Sequence, residues 1–195
     1  AAPIPRTAWA AGRPVYRSDL IVREDAPYRT LEDTFGGCAG WTVEHSHSGF
    51  NAFRHHLLRY RTASRPGLYG EMVPNLVTAR AILDSVREGR IDVGPLDAYW
   101  HLLIAKHNPT LTAGVRVLDS TEVATLPAFV TAANTPASTI NALRHAFVNA
   151  CRHPWFREYA DTLLIEGFAA VDTRDYARTL EWDSAAKAAG YAYPA

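Results

Sequence analysis

The apolar positions of the chain change period several times, and each change predicts an element boundary. Residues 1 to 14 carry Pro3, Pro5, Gly12 and Pro14 and read as an irregular lead-in. Tyr16 to Arg23 is β-prone and ends at Asp25-Ala26-Pro27, a strand followed by a turn. Thr30 to Asp33 fits one helical turn closed by Gly36 and Gly37. Trp41 and Val43 then alternate across Thr42 as a short strand through residue 44. Phe50, Phe53, Leu57 and Tyr60 follow at three-or-four spacing, which predicts a helix from Ser48 to about Tyr60.

Residues 62 to 70 are loop and Glu71-Met72-Val73 is a brief strand. Thr78 caps a helix with Ala79, Ile82, Leu83 and Val86 on its inner face, and Gly89 stops it. Ile91 to Leu96 reads as a buried strand, and Asp97 opens a helix carrying Tyr99, Trp100, Leu102 and Leu103. This alternation implies a parallel sheet whose post-strand loops share one edge. Strands at 115–118 and 128–131 precede a helical tail. Ile140, Leu143, Phe147 and Val148 form one face, His153-Pro154 breaks it, and further helices span 156–165, ending at Gly167, and 172–189.

Composition narrows the function classes. In 195 residues, 20 basic side chains balance 20 acidic ones, so no whole-molecule field favours nucleic acid or an anionic membrane. Apolar runs such as Trp100 to Ala105 are too short to span a bilayer, which predicts no membrane insertion. The chain begins at Ala1, so an export signal removed earlier would leave no trace. Cys38 and Cys151 read as unpaired, partly buried thiols.

The candidate chemistry gathers where the strand at 41–44 gives way to the helix. Ser46, His47, Ser48 and Gly49 lie at that mouth, with Ser48 as the expected N-cap and Asn51 one turn in. First-turn amides lack intrahelical partners and carry partial positive charge, so hydroxyls beside them can hold an oxyanion without lysine or arginine. An ordinary helix cap satisfies the same pattern. A histidine at a helix N-terminus is disfavoured as a cation, so His47 reads as a neutral donor. Asp97 either caps its helix or accepts a proton held by a ligand oxygen. Tyr16, Tyr99 and Trp100 fit a cleft or a core. His45, His47, His55 and His56 invite a metal or hydrolase reading, yet adjacent helical histidines diverge and no third ligand stands at convincing spacing, so no metal or other cofactor is expected.

These segments, in this order, resemble the substrate-binding proteins of phosphate, phosphite and phosphonate ABC transporters, of the type II periplasmic binding protein fold. Tyr16 to Arg23 resembles the strand crossing between lobes, Thr30-Leu31-Glu32-Asp33 the family's Ser-Leu-Glu-Asp-Leu turn, Ser46 to Ala52 the Ser-x-Ser-Gly anion loop, and Gly89 to Asp97 a strand-and-turn signature. The resemblance implies an α/β protein of two lobes, with parallel or mixed sheets flanked by helices. Residues 1–23 and 119–195 would form a partial first lobe and 24–118 the second. It implies a periplasmic, non-enzymatic solute carrier that holds a phosphorus oxyanion between the lobes through Ser46, His47, Ser48 and Asp97 and docks on an ABC permease.

Two departures stand out. Thr78-Ala79 occupies the place where such proteins often open a helix with histidine, and the several tens of residues expected before the crossing strand are missing, which implies an incomplete first lobe. Its exposed sheet edge invites dimerisation. A ligand-sensing regulatory domain of the same fold is the competing reading, and a histidine-metal hydrolase a more distant one.

Overall fold

The computed structural model describes residues 1–194. In chain order the regular elements are β1 (Ala2–Pro5), β2 (Val15–Tyr16), β3 (Ser18–Arg23), β4 (Cys38–Gly40), α1 (Ala52–Leu57), β5 (Glu71–Val73), α2 (Ala79–Arg87), β6 (Gly94–Asp97), α3 (Ala98–His107), α4 (Pro109–Thr112), β7 (Val115–Ser120), β8 (Ala124–Thr125), α5 (Ala137–Asn149), α6 (Phe156–Leu163), β9 (Ile165–Ala169) and α7 (Ala177–Ala188). The chain divides into two compact units. The smaller comprises Ala1–Tyr16 and Val123–Ala177; the larger comprises Arg17–Glu122 and the chain from Arg178 onward. The sequence reading drew its lobe boundaries at residues 23 and 118 and kept the last helix with the first lobe.

In the larger unit β3 is the middle strand of a three-stranded sheet in the order β6-β3-β7, antiparallel to both neighbours. Leu20, Ile21 and Val22 are all fully buried because both faces of this strand are covered. Successive side chains point to opposite faces. Leu20 and Val22 therefore pack with Leu31, Phe53, Leu57 and Tyr69, while Ile21 packs with Ile82, Leu83, Val86 and Leu96. The amphipathic helix α2 starts where Thr78 accepts the Ala81 amide at 3.1 Å and ends at Gly89, whose φ of +71° suits a residue without Cβ.

The parallel sheet expected from the alternation of strands and helices is not what forms, and the pairing is mixed. Parallel pairing is confined to β4 with β5 and a single bridge between Ala39 and Val93. The strand expected at 41–44 lies at 38–40, inside a Gly-rich run that reads locally as a turn. A Cβ at Gly40 would stand 2.8 Å from Ile91 Cδ1, so this strand packs too closely for a larger residue. Trp41 is instead a buried loop residue stacked on Tyr193 and tilted against Phe50.

The smaller unit departs further from expectation. The lead-in contains β1, paired antiparallel with β9. Pro3 and Pro5 are compatible with it because a strand with one neighbour has free donor positions. The helix expected to run to residue 165 ends at Leu164, which adopts a left-handed φ of 52°, and the chain turns into β9. No strand forms at 128–131; β8 lies earlier, at 124–125, opposite β2, and Pro127 removes a donor just beyond it. Phe129, Phe147, Phe156 and Phe168 make an aromatic cluster. Cys151, expected to be partly buried, is exposed, and Cys38 is half-buried; both are free thiols.

Candidate functional site

The helix mouth is built differently from the expected cap. The first turn, His47–Asn51, is a π turn in which the Asn51 amide donates five residues back to the Ser46 carbonyl at 3.1 Å, and α1 continues from it. Such wide turns recur at functional positions. Ser46, not Ser48, is the N-cap: its Oγ accepts the Gly49 amide at 3.0 Å. With the wider turn the cap lies two residues earlier in the chain, and the Ser48 hydroxyl and amide have no protein partner among the described residues. Gly49 is required here by packing, since a Cβ on it would lie 2.0 Å from Thr42 Oγ1 and 2.9 Å from Ser46 Oγ. Thr42 is buried, donates its amide to the Gly49 carbonyl at 3.2 Å, and has no partner for its hydroxyl.

Asp97 ends β6 and caps α3 at once. Its Oδ1 accepts the amides of Tyr99 and Trp100 at 2.9 and 3.0 Å. Burial raises its proton affinity above the usual carboxylate range and the charge of Asp19 adds to this, while the two amides pull the other way. Tyr99, in the first turn of α3, is likewise pushed up by burial and by the Asp97 charge. The π turn packs against β6. The strand pairing explains the meeting: Ser18 lies opposite Asp97, so their side chains share one face of the sheet, and the Ser18 hydroxyl donates to the Ser48 carbonyl at 2.7 Å. Loop and aspartate thus meet at the start of β3 and the end of β6, not along the shared edge of parallel strands. Tyr16 is buried at the end of β2, in the smaller unit.

His47 and Asn51 face helix α7. The His47 ring stacks on Trp182 with centroids 5.4 Å apart, and His55 stacks on the same indole at 4.8 Å. Burial, with a smaller contribution from His55, lowers the His47 pKa to about 4, so its ring is neutral at pH 7. Asn51 donates to the Thr179 carbonyl at 2.8 Å, and its Oδ1 accepts from Arg54 at 3.3 Å, which engages its polar groups within the protein. Arg54 is itself buried and bonds Asp183 at 2.5 Å and the Ala192 carbonyl at 3.0 Å. A shallow pocket of about 320 Å³ opens beside this lock, lined by Glu44, His45, Ser46, His47, Asn51 and Asp183 among others.

Sequence reasoning missed Ser18, Thr42, Arg54 and Trp182. The one signal available was a Ser-Asp pair opening an otherwise apolar strand at 18–22. Among the described residues no group of three or more His, Cys, Asp or Glu side chains converges to hold a metal ion.

Comparison with known proteins first fixes the class. PhnD1 from Prochlorococcus marinus, solved in complex with methylphosphonate, superposes with a TM-score of 0.75 at 14% identity, covering 95% of this chain and 71% of that one. A binding protein component of an ABC phosphonate transporter from Pseudomonas aeruginosa gives 0.71 at 15% identity, covering 96% and 63%. XAC2383 from Xanthomonas citri, bound to ATP, gives 0.62 at 19% identity, covering 96% and 71%. Likeness at this level of identity shows the fold, that of the type II periplasmic binding proteins, of which the chain spans a part. No curated protein matches the sequence. A family profile described as "ABC transporter, phosphonate, periplasmic substrate-binding protein" matches residues 3–176, and the chain belongs to that family. Its members are substrate-binding proteins, not enzymes, and no described helix is long and apolar enough to cross a membrane.

Proposed function

We propose that the protein is the solute-binding component of an ABC importer and takes a phosphorus oxyanion, a phosphonate, phosphite or phosphate, at the mouth made by Ser46, His47, Ser48 and Gly49. The observation that carries this reading is the amide and hydroxyl of Ser48, which have no protein partner among the described residues, at a helix start where the neighbouring Gly49 amide is already capped. The neutral His47 adds no positive charge, so selectivity comes from oriented donors. Asp97 stands on the same sheet face as the residue that holds this loop. Its raised proton affinity suits a site where one proton lies between carboxyl and ligand oxygen, with Tyr99 beside it. Asn51 contributes by fixing the His47 ring and the turn beneath it.

The partners in this reading are a small anion and an ABC permease that the protein meets on the outer side of the membrane, with the ligand held in an interlobe cleft as the family resemblance implies. Self-association through the smaller unit belongs to the same proposal, supported by the exposure of Phe129, Val130, Trp155 and Tyr159 there. Titration calorimetry with methylphosphonate, phosphite and phosphate tests the central claim. Binding of one of them, weakened about tenfold or more by Ser48→Ala, is expected from the loss of the hydroxyl donor to a charged group, the backbone amide of residue 48 being retained. Absence of heat with all three anions would overturn it.

A further inference from the structure

Ser18 is a fully buried hydroxyl at the head of an apolar strand, a position that costs free energy unless the group is bonded. Its backbone is held independently of the anion loop. The Ser18 amide donates to Thr121 Oγ1 at 3.0 Å, its carbonyl accepts the Thr121 amide at 2.9 Å, and the residue lies in register with Asp97. From this anchored place the hydroxyl donates to the Ser48 carbonyl at 2.7 Å.

That carbonyl and the Gly49 amide belong to one planar peptide unit, on which C=O and N–H point in opposite directions. Fixing the oxygen toward Ser18 therefore fixes the Gly49 N–H, which donates to Ser46 Oγ at 3.0 Å. With that oxygen accepting from Gly49, the proton of the Ser46 hydroxyl is directed away from the cap. The Gly49 carbonyl, on the next peptide, is held by the Thr42 amide at 3.2 Å, so both peptides flanking Gly49 are clamped. The row of dipoles from Ser18 through the Ser48–Gly49 peptide to Ser46 runs head to tail, an arrangement in which each bond strengthens the next.

We infer that Ser18 is a positioning residue: it sets the Ser48–Gly49 peptide plane and thereby aims the Ser46 hydroxyl proton at an incoming phosphorus oxyanion. This deepens the anion-binding reading and rests on it. The residue sits on a strand rather than in the loop, which is the arrangement that gives a binding group the tightest geometry.

The test uses Ser18→Ala, which removes the donor, and Ser18→Cys, which keeps nearly the same volume with a weak donor. In the ligand-free protein, amide hydrogen exchange at Gly49 is expected to speed up about tenfold in Ser18→Ala, the equivalent of one lost hydrogen bond, while exchange at Leu20 stays as in the parent. Ser18→Cys should fall between. In calorimetry with methylphosphonate the affinity should fall in the same order. Unchanged Gly49 exchange, or equal acceleration at Gly49 and Leu20, overturns the role of Ser18, the second because a purely structural residue would loosen the whole sheet. If the parent binds methylphosphonate and Ser18→Ala binds it equally well, the positioning claim also fails. If the parent protein binds neither methylphosphonate, phosphite nor phosphate, the anion reading falls instead, and Gly49 exchange still decides whether Ser18 sets that peptide.

Discussion

Adding one methyl group at Gly49 tests the construction of the helix mouth without touching a hydrogen-bonding atom. The Cβ of Gly49→Ala would meet Thr42 Oγ1 at 2.0 Å, Thr42 Cγ2 at 2.9 Å and Ser46 Oγ at 2.9 Å. The Thr42 side chain has little room to turn aside, because both branches from its Cβ stand close to that point and the residue is buried. The loop must shift, at a cost of about 1–3 kcal/mol for an overpacked site. In a chain of this length that corresponds to a fall in melting temperature of roughly 2–12 °C. The diagnostic partner is Thr42→Ala. The Thr42 hydroxyl has no hydrogen-bond partner, so deleting the side chain removes packing but breaks no bond, and it vacates the volume the new methyl needs. Thermal denaturation of both single variants and of the double variant closes a mutant cycle, in which the double variant should be more stable than Gly49→Ala alone by about 1 kcal/mol or more. Gly49→Ala melting within a degree of the parent, or additive effects in the double variant, would refute the packing argument.

Protonation of His47 supplies a second prediction. Its folded pKa, about 4, lies below the usual 6.5, so the unfolded chain binds the extra proton between those values. The stability linked to His47 is complete above pH 6.5 and is lost as pH falls toward 4; His47→Gln should flatten that part of the stability profile. A His47 NMR titration with a midpoint near 6.5 would contradict it. Arg54→Ala should cost about 2–4 kcal/mol by urea denaturation, since it removes a buried cation bonded to Asp183, Asn51 and the Ala192 carbonyl; a loss under 1 kcal/mol would mean that α7 docks without it. For self-association, light scattering should find dimers that Trp155→Glu converts to monomers, and a parent protein that is monomeric at all concentrations ends that part of the proposal.

What the sequence determined by itself is local. Thr78 and Gly89 bound α2 because a cap and a left-handed stop act within one helical turn, and the buried run at 20–22 announces a strand because covering both faces leaves no polar position. Asp97 at a helix start and a serine-rich helix mouth were legible for the same reason. Tertiary structure decided the rest, through partners far away in sequence. Residues 38–40 become a strand because 71–73 lies beside them, and the proline-bearing lead-in becomes β1 because β9 offers it a partner. The cap lies at Ser46 and not Ser48 because the first turn is wide, while Thr42, in the loop after β4, and Ser18, at the start of β3, close on Gly49 and Ser48. Hydrogen bonds inside one turn depend on neighbouring residue types, whereas a buried hydroxyl thirty residues from its acceptor has no periodic trace, so the geometry that aims the site belongs to the fold.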